Sequence, residues 1–238
     1  LAGWIMGFNG KYSIGILLTF ILLTAAMLYS NPLITLITGM GKITADHFFL
    51  SRILLWGILI IVFLYNIFVE KGTFLLKEEK KYSAAFYSKA ALILYFICIL
   101  GGAILNTFMM FVIEEKVSTK LLNLIPIFRN NYFLIIFTCL TAAIVEEFLM
   151  RGYLQPRIEK IYNNPAIGII ISAVLFGILY STYGTISQVL GPFFIGIVFA
   201  IFYKRYSNIK ILMICHFMID FIAMMIMNFM DIKHLSVF

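Results

Sequence analysis

The chain reads as an all-α fold, a polytopic membrane helix bundle of about seven to eight transmembrane helices. Three observations predict this. Hydrophobic residues make up 63% of the 238, where a soluble domain carries about 45–50%. Charged residues make up only 12%, roughly half the usual share. The apolar residues also gather in runs of about 20, the length that crosses the hydrocarbon core of a bilayer. The 24 Phe and 13 Tyr suit lipid-facing surfaces and interfacial belts. No polar segment is long enough for a separate soluble domain, so residues 1–238 are expected to form a single integral membrane domain.

Seven candidate spans follow in order, at about 12–30, 48–69, 89–113, 132–160, 165–182, 186–203 and 208–229. Lys11 before the apolar stretch Ile14 to Tyr29 fits a first span that stays in the product rather than a cleaved signal, and Asn31-Pro32 is expected to end it. The second span runs into the loop Glu70 to Lys81, whose five charged positions from Lys77 to Lys81 read as a solvated connector. Glu114, Glu115 and Lys116 close the third span. Leu121 to Phe128 is apolar but too short to cross, and leaves room for an eighth span or a re-entrant segment. The fourth span is expected to kink near Pro156 and to turn at Asn163-Asn164-Pro165.

With the N-terminus placed in the cytoplasm, eleven basic residues fall inside: Lys11, Lys71, Lys77, Lys80, Lys81, Lys89, Arg157, Lys160, Lys204, Arg205 and Lys210. Six fall outside: Lys42, Arg52, Lys116, Lys120, Arg129 and Lys233. The excess favours that orientation, and it accounts for the net charge of +7 without a nucleic-acid partner. Cys98, Cys139 and Cys215 all lie in apolar runs without a CxxC pair, which reads as buried small hydrophobes rather than a disulfide framework or a zinc ribbon. His47 and His234 read as loop histidines, and Tyr153, Tyr162 and Tyr183 as interfacial or packing residues.

The chemistry concentrates in the fourth and last spans. Ionisable groups inside a membrane cost about 2.5–3.5 kcal/mol each on insertion scales, so they must neutralise one another, line a wet cavity or react. Glu147 and Arg151 are four apart and can pair on one helical face, while Glu146 is turned by about 100° and is free to point elsewhere. His216 and Asp220, also four apart, can address a common third group. Counting back along the fourth and fifth spans puts Glu146 level with residue 180, and His216 lies about 12 Å into its span. All three positions are then expected to converge in the cytoplasmic half of the bilayer. Two further readings of these residues stay open. One is a polar brace in which the pairs lock helices without a reaction. The other is a metal site, disfavoured because catalytic zinc sites use several histidines and only His216 lies here. A transporter lacks the expected pair of broken, repeated helices.

Glu146-Glu147-Phe148-Leu149-Met150-Arg151, continuing through Gly152-Tyr153-Leu154-Gln155-Pro156-Arg157, resembles motif one of the CAAX protease and bacteriocin-processing family (CPBP, or Abi). His216-Phe217-Met218-Ile219-Asp220 resembles its third motif, His followed four later by Asn or Asp. The second motif, Phe and then His after three residues, is matched by Phe176-Gly177-Ile178-Leu179-Tyr180, with Tyr180 where the histidine is expected. The similarity covers about 132–229, and residues 1–131 match only in being apolar spans.

The resemblance implies an intramembrane peptidase, without a cofactor or bound metal, in which a glutamate-activated water cuts a peptide or membrane-protein substrate. Glu146 would be the general base, His216 and Asp220 would stabilise the oxyanion, and Glu147 with Arg151 would brace the helix. Oxyanion donors are typically worth about 2.7–4 kcal/mol. A phenol donates a hydrogen bond but is no base at neutral pH, so Tyr180 implies reduced or lost activity. The alternative is a pseudoprotease acting in bacteriocin self-immunity or as a membrane scaffold that binds a protein partner. Either role belongs to a multi-pass protein of the cell membrane, of bacterial cytoplasmic type, with its cavity expected to open to the cytoplasm.

Overall fold

A computed structural model describes residues 8–39, 43–114 and 118–229. Seven helices in it are long and apolar enough to cross a membrane: α1 (Asn9–Thr38), α2 (Ala45–Glu70), α3 (Ala84–Ile113), α4 (Tyr132–Tyr162), α5 (Pro165–Tyr183), α6 (Ser187–Tyr206) and α7 (Ile209–Phe229). They follow the seven expected spans, and the apolar segment before α4 forms only the short helical stretch Thr119–Phe128. Among the described residues there is no strand. The protein is a polytopic helical membrane bundle.

Local chemistry starts the helices where the sequence supplies a cap. The side chains of Thr44, Ser83, Asn131 and Asn164 accept from the backbone N–H of His47, Phe86, Leu134 and Ala166, satisfying donors that the first turn leaves free. Pro165 then occupies the first turn of α5, where its missing N–H costs nothing. Pro32 does not end the first helix as its sequence implied. The ring removes one bond of the ladder, but the helix continues to Thr38 and closes with Gly39 N–H on the Thr35 carbonyl at 2.9 Å. His47 is a buried residue in the first turn of α2, with Nε2 3.1 Å from the Thr35 hydroxyl, and not a loop histidine. His234 lies outside the described residues.

α4 is the central element. In its most apolar window 67% of the residues are buried, against 33% or less in every other span, so lipid meets the other helices first. Leu149, Met150, Tyr153 and Leu154 anchor the largest core cluster. α1 and α2 pack on α4, and α5 and α7 close around it. α3 sits outside, against α6 and α7. α5 and α6 form an antiparallel pair that small residues bring close together: a Cβ at Gly196 would sit 3.1 Å from the Ala173 Cα. The irregularity of α4 lies upstream of Pro156, in wide π-type turns over Ala142–Glu146 and Phe148–Leu154. Proline cannot donate to the preceding turn and crowds it, and widened turns ahead of it relieve both constraints.

The alternating spans put residues 71–83, 163–164 and 207–208 on the face where α1 begins, and residues 39, 43–44, 114, 118–131 and 184–186 on the other. The charged loop after α2 is a strap docked through Lys77 and Glu79, while Glu78, Lys80 and Lys81 keep the exposure expected of a solvated connector. Lys77 Nζ lies 3.0 Å from Glu159, Glu79 accepts the Ile209 N–H at 2.8 Å, and Asn208 Nδ2 donates to the Lys80 carbonyl at 2.7 Å. Burial pulls the Lys77 ammonium below its ordinary pKa against the opposing pull of Glu159. Burial likewise pushes the Glu79 carboxyl up, with the Ile209 N–H bond opposing it.

One layer deeper, Glu70 and Arg157 form a buried bidentate ion pair: Nε lies 2.9 Å and Nη2 2.5 Å from Glu70 Oε2, and Nε lies 3.1 Å from Oε1. Tyr153 OH and Asn66 Nδ2 donate to the same carboxylate at 2.5 and 2.8 Å. Arg157 Nη1 holds the Phe74 and Tyr153 carbonyls. The guanidinium sits 3.6 Å from the Tyr153 ring centroid, so almost every polar atom here has a partner. The three cysteines are buried and free.

Candidate active site

The widened part of α4 presents Glu146 and Glu147 to two different neighbours. Glu147 is fully buried, and its Oε1 receives Arg151 Nη1 at 3.0 Å and His216 Nδ1 at 2.8 Å. One carboxylate oxygen thus ties α4 to itself and to α7. The Arg151 guanidinium lies 4.5 Å from the Phe176 ring centroid and 5.5 Å from that of Phe199, faces that offset part of its burial. Arg151 Nε and Nη2 and Glu147 Oε2 have no hydrogen-bond partner among the described residues. This brace is tight in placement but not saturated.

Glu146 faces the other way, as the one-residue offset predicts. Its Oε2 accepts the Tyr180 hydroxyl at 3.1 Å and lies 4.0 Å from His216 Nε2. The same nitrogen is 3.5 Å from Asp220 Oδ2, one turn further along α7. Phe176 and Phe199 stand edge-on to the imidazole, at centroid distances of 6.3 and 6.0 Å. Glu147 therefore orients the ring through Nδ1, and Nε2 is left facing two carboxylates. Asp220 is more open than Glu146, Glu147, Arg151 and His216, with 31% of its side chain accessible. Glu146, Glu147, Arg151, Tyr180, His216 and Asp220, named from the sequence, come together in one network. Among the described residues, no group of three or more His, Cys, Asp and Glu has a geometry fit to hold a metal ion.

A cavity of about 830 Å³ lies beside this network, between the later part of α1, the start of α2 and the segment before α4. Tyr183 lines it and packs on Tyr180 with ring centroids 5.9 Å apart. Two phenol rings thus stand between the cavity and Glu146. The cavity belongs to the face of residues 43–44 and 118–131, opposite the start of α1.

Tyr183, the cavity residue Arg52 and the Glu70–Arg157–Tyr153 network escaped the sequence reading as site or near-site residues. For the last of these a signal existed, since Tyr153 and Arg157 continue the spacing of the Glu147–Arg151 helix. Its partner Glu70 is 87 residues away, which no local spacing reveals.

A family model described as type II CAAX prenyl endopeptidase Rce1-like matches residues 128–222, from just before α4 into α7. Neither a curated protein nor a solved structure matches the chain. Peptide or protein substrates and a membrane-embedded site go with that family, and α1 to α3 lie outside the matched segment. The stretch that is similar to the Rce1-like type II CAAX prenyl endopeptidases, residues 128–222, thus holds all six side chains of the network.

Proposed function

We propose that the protein is an intramembrane peptidase in which Glu146 activates water against a peptide or membrane-protein bond, at a rate reduced by Tyr180. The observation that carries this reading is the 4.0 Å separation of Glu146 Oε2 from His216 Nε2, in a buried site that excludes bulk water. Glu146 takes the proton of a water, whose oxygen attacks the carbonyl carbon. His216 as an imidazolium donates from Nδ1 to Glu147 and from Nε2 to the oxyanion. Asp220 is an acceptor, so its part is to steer Nε2 rather than to touch the oxyanion. Glu146 then returns the proton to the leaving nitrogen. Glu147 and Arg151 position the imidazole.

Substrate enters from the cavity face, past Tyr183 and Tyr180. The setting we infer is a bacterial cytoplasmic membrane. The test is cleavage of prenylated and leader-type peptides by purified protein beside Glu146→Gln and Tyr180→His. Cleavage that is lost in Glu146→Gln and raised in Tyr180→His supports the reading, and cleavage indifferent to Glu146→Gln refutes it.

The Tyr180 hydroxyl on Glu146 also favours a second reading, a pseudoprotease that binds a partner in bacteriocin self-immunity or as a scaffold. That reading requires partner binding to survive Glu146→Gln and Tyr180→His to restore no cleavage.

A further inference from the structure

Arg52 has no place in the mechanism above. It sits seven residues after Ala45 at the start of α2, about 10 Å along the helix, in the wall of the 830 Å³ cavity. Its guanidinium leans on the Phe48 ring at 4.7 Å and spends one donor on Ser51 Oγ at 3.4 Å. Lys120 lines the same cavity and spends one donor on the Thr182 carbonyl at 2.6 Å. Among the described residues, neither cation lies within 4.0 Å of a carboxylate. Arg carries five N–H donors and Lys three, so most of this donor capacity beside the cavity is not spent on the hydrogen bonds named here. The fully buried arginines, Arg151 and Arg157, each have a carboxylate, whereas Arg52 is half-buried and Lys120 exposed, both without one. An arginine inside a span without one is a site in want of an anion.

The rest of the wall says what kind of anion. Met27, Leu28, Phe48, Leu55 and Leu124 form apolar ground, while Asn31 and Asn123 offer amides that both donate and accept. Apolar patches with spaced amides suit the alternating side chains and backbone of an extended peptide, and the volume is that of a small-ligand or short-peptide site. Tyr183 joins this wall to Tyr180 and so to Glu146.

We infer that Arg52 and Lys120 are substrate-anchoring residues that hold a carboxylate of the peptide while its apolar side chains lie on α1 and α2. This rests on the peptidase reading for its meaning but not for its test. Arg52 lies on α2, outside the 128–222 segment, so the specificity it confers comes from the part of the chain that the family match does not cover.

The experiment measures binding first, with full-chain Glu146→Gln protein in neutral-lipid nanodiscs. The probes are labelled apolar peptides ending in a carboxylate or in an amide, and an amide-ended peptide with one internal Glu. The acid-ended peptide should bind about 10- to 100-fold tighter than the amide, the range for a charge-assisted hydrogen bond. Arg52→Gln should erase that preference, Arg52→Lys recover part of it, and Lys120→Gln reduce it. Tight binding of the internal-Glu peptide assigns the site to a side-chain carboxylate, and its weak binding assigns it to the chain terminus. Equal binding of acid and amide peptides overturns the inference. So does an equal loss of both in Arg52→Gln, the pattern expected of a lipid-headgroup or packing role. Arg52-dependent binding without any cleavage by the unsubstituted protein leaves the anchor standing and removes the peptidase. Cleavage whose KM is unmoved by Arg52→Gln does the reverse.

Discussion

Removing the Arg157 guanidinium would strip the Glu70 carboxylate of its two strongest donors while leaving it buried. Arg157→Met keeps most of the side-chain volume, so the loss is electrostatic rather than a cavity. The carboxylate would retain only Tyr153 OH and Asn66 Nδ2, and the Phe74 and Tyr153 carbonyls would lose Nη1. Breaking a buried pair from one side costs about 3–5 kcal/mol. At about 2–4 °C per kcal/mol for a chain of this size, the melting temperature should fall by roughly 6–20 °C. Glu70→Gln/Arg157→Met should be less damaged than the sum of the single variants, because no charge is then stranded. The three buried cysteines supply the assay: a thiol-reactive fluorophore in detergent micelles reports their exposure on heating. A melting temperature within about 2 °C of the parent for Arg157→Met, or strictly additive single variants, would refute the argument, since either means the pair is not desolvated.

Three smaller tests concern other parts of the molecule. Tyr180→Phe removes the donor on Glu146 Oε2, and peptide cleavage should rise by about tenfold if that hydroxyl restrains the base; unchanged cleavage would show that it does not. The Glu79 carboxyl is held above its ordinary pKa, chiefly by burial, so the native state binds more protons than the unfolded one just above pH 4.3 or so. Its contribution is therefore present below that value and is lost as pH rises through the raised one. Glu79→Gln should flatten that part of the stability–pH curve, and an unaltered curve would place the strap in solvent. Gly196→Val puts a branched side chain against the Ala173 backbone and should cost about 1–3 kcal/mol in the same thiol assay, whereas a neutral outcome would mean α5 and α6 are further apart than described.

Much of the bundle was legible because its signals are local. Runs of about 20 apolar residues mark the seven spans, and a four-residue spacing pairs Glu147 with Arg151 and aligns His216 with Asp220. Tyr180 could be set opposite Glu146 by counting, since the hairpin between α4 and α5 is short and both helices are continuous. What escaped depends on partners far along the chain. Lys77 and Glu79 look as solvated as their neighbours until Glu159 and the Ile209 N–H arrive from 80 to 130 residues away. Pro32 looked like a stop because sequence shows the missing donor but not the turns that continue beyond it. The face on which the cavity opens was beyond reach for a similar reason, since it depends on how deep each helix end sits rather than on where hydropathy changes.

The wide turns of α4 also set an angular phase. Upstream they carry Glu146 and Glu147 toward α5 and α7, and downstream Arg157 must meet Glu70 at the end of α2. A π-type turn amounts to one residue more than an α-helix needs for the same advance. Deleting a single residue between 148 and 154 would close one wide turn to an ordinary α turn with the phase kept, whereas each further deletion would rotate one half of α4 against the other by about 100°. Either the carboxylates would keep their imidazole or the arginine would keep its glutamate, but not both. The wide turns therefore hold a small reserve of length, and a change beyond that reserve separates the two halves of the helix.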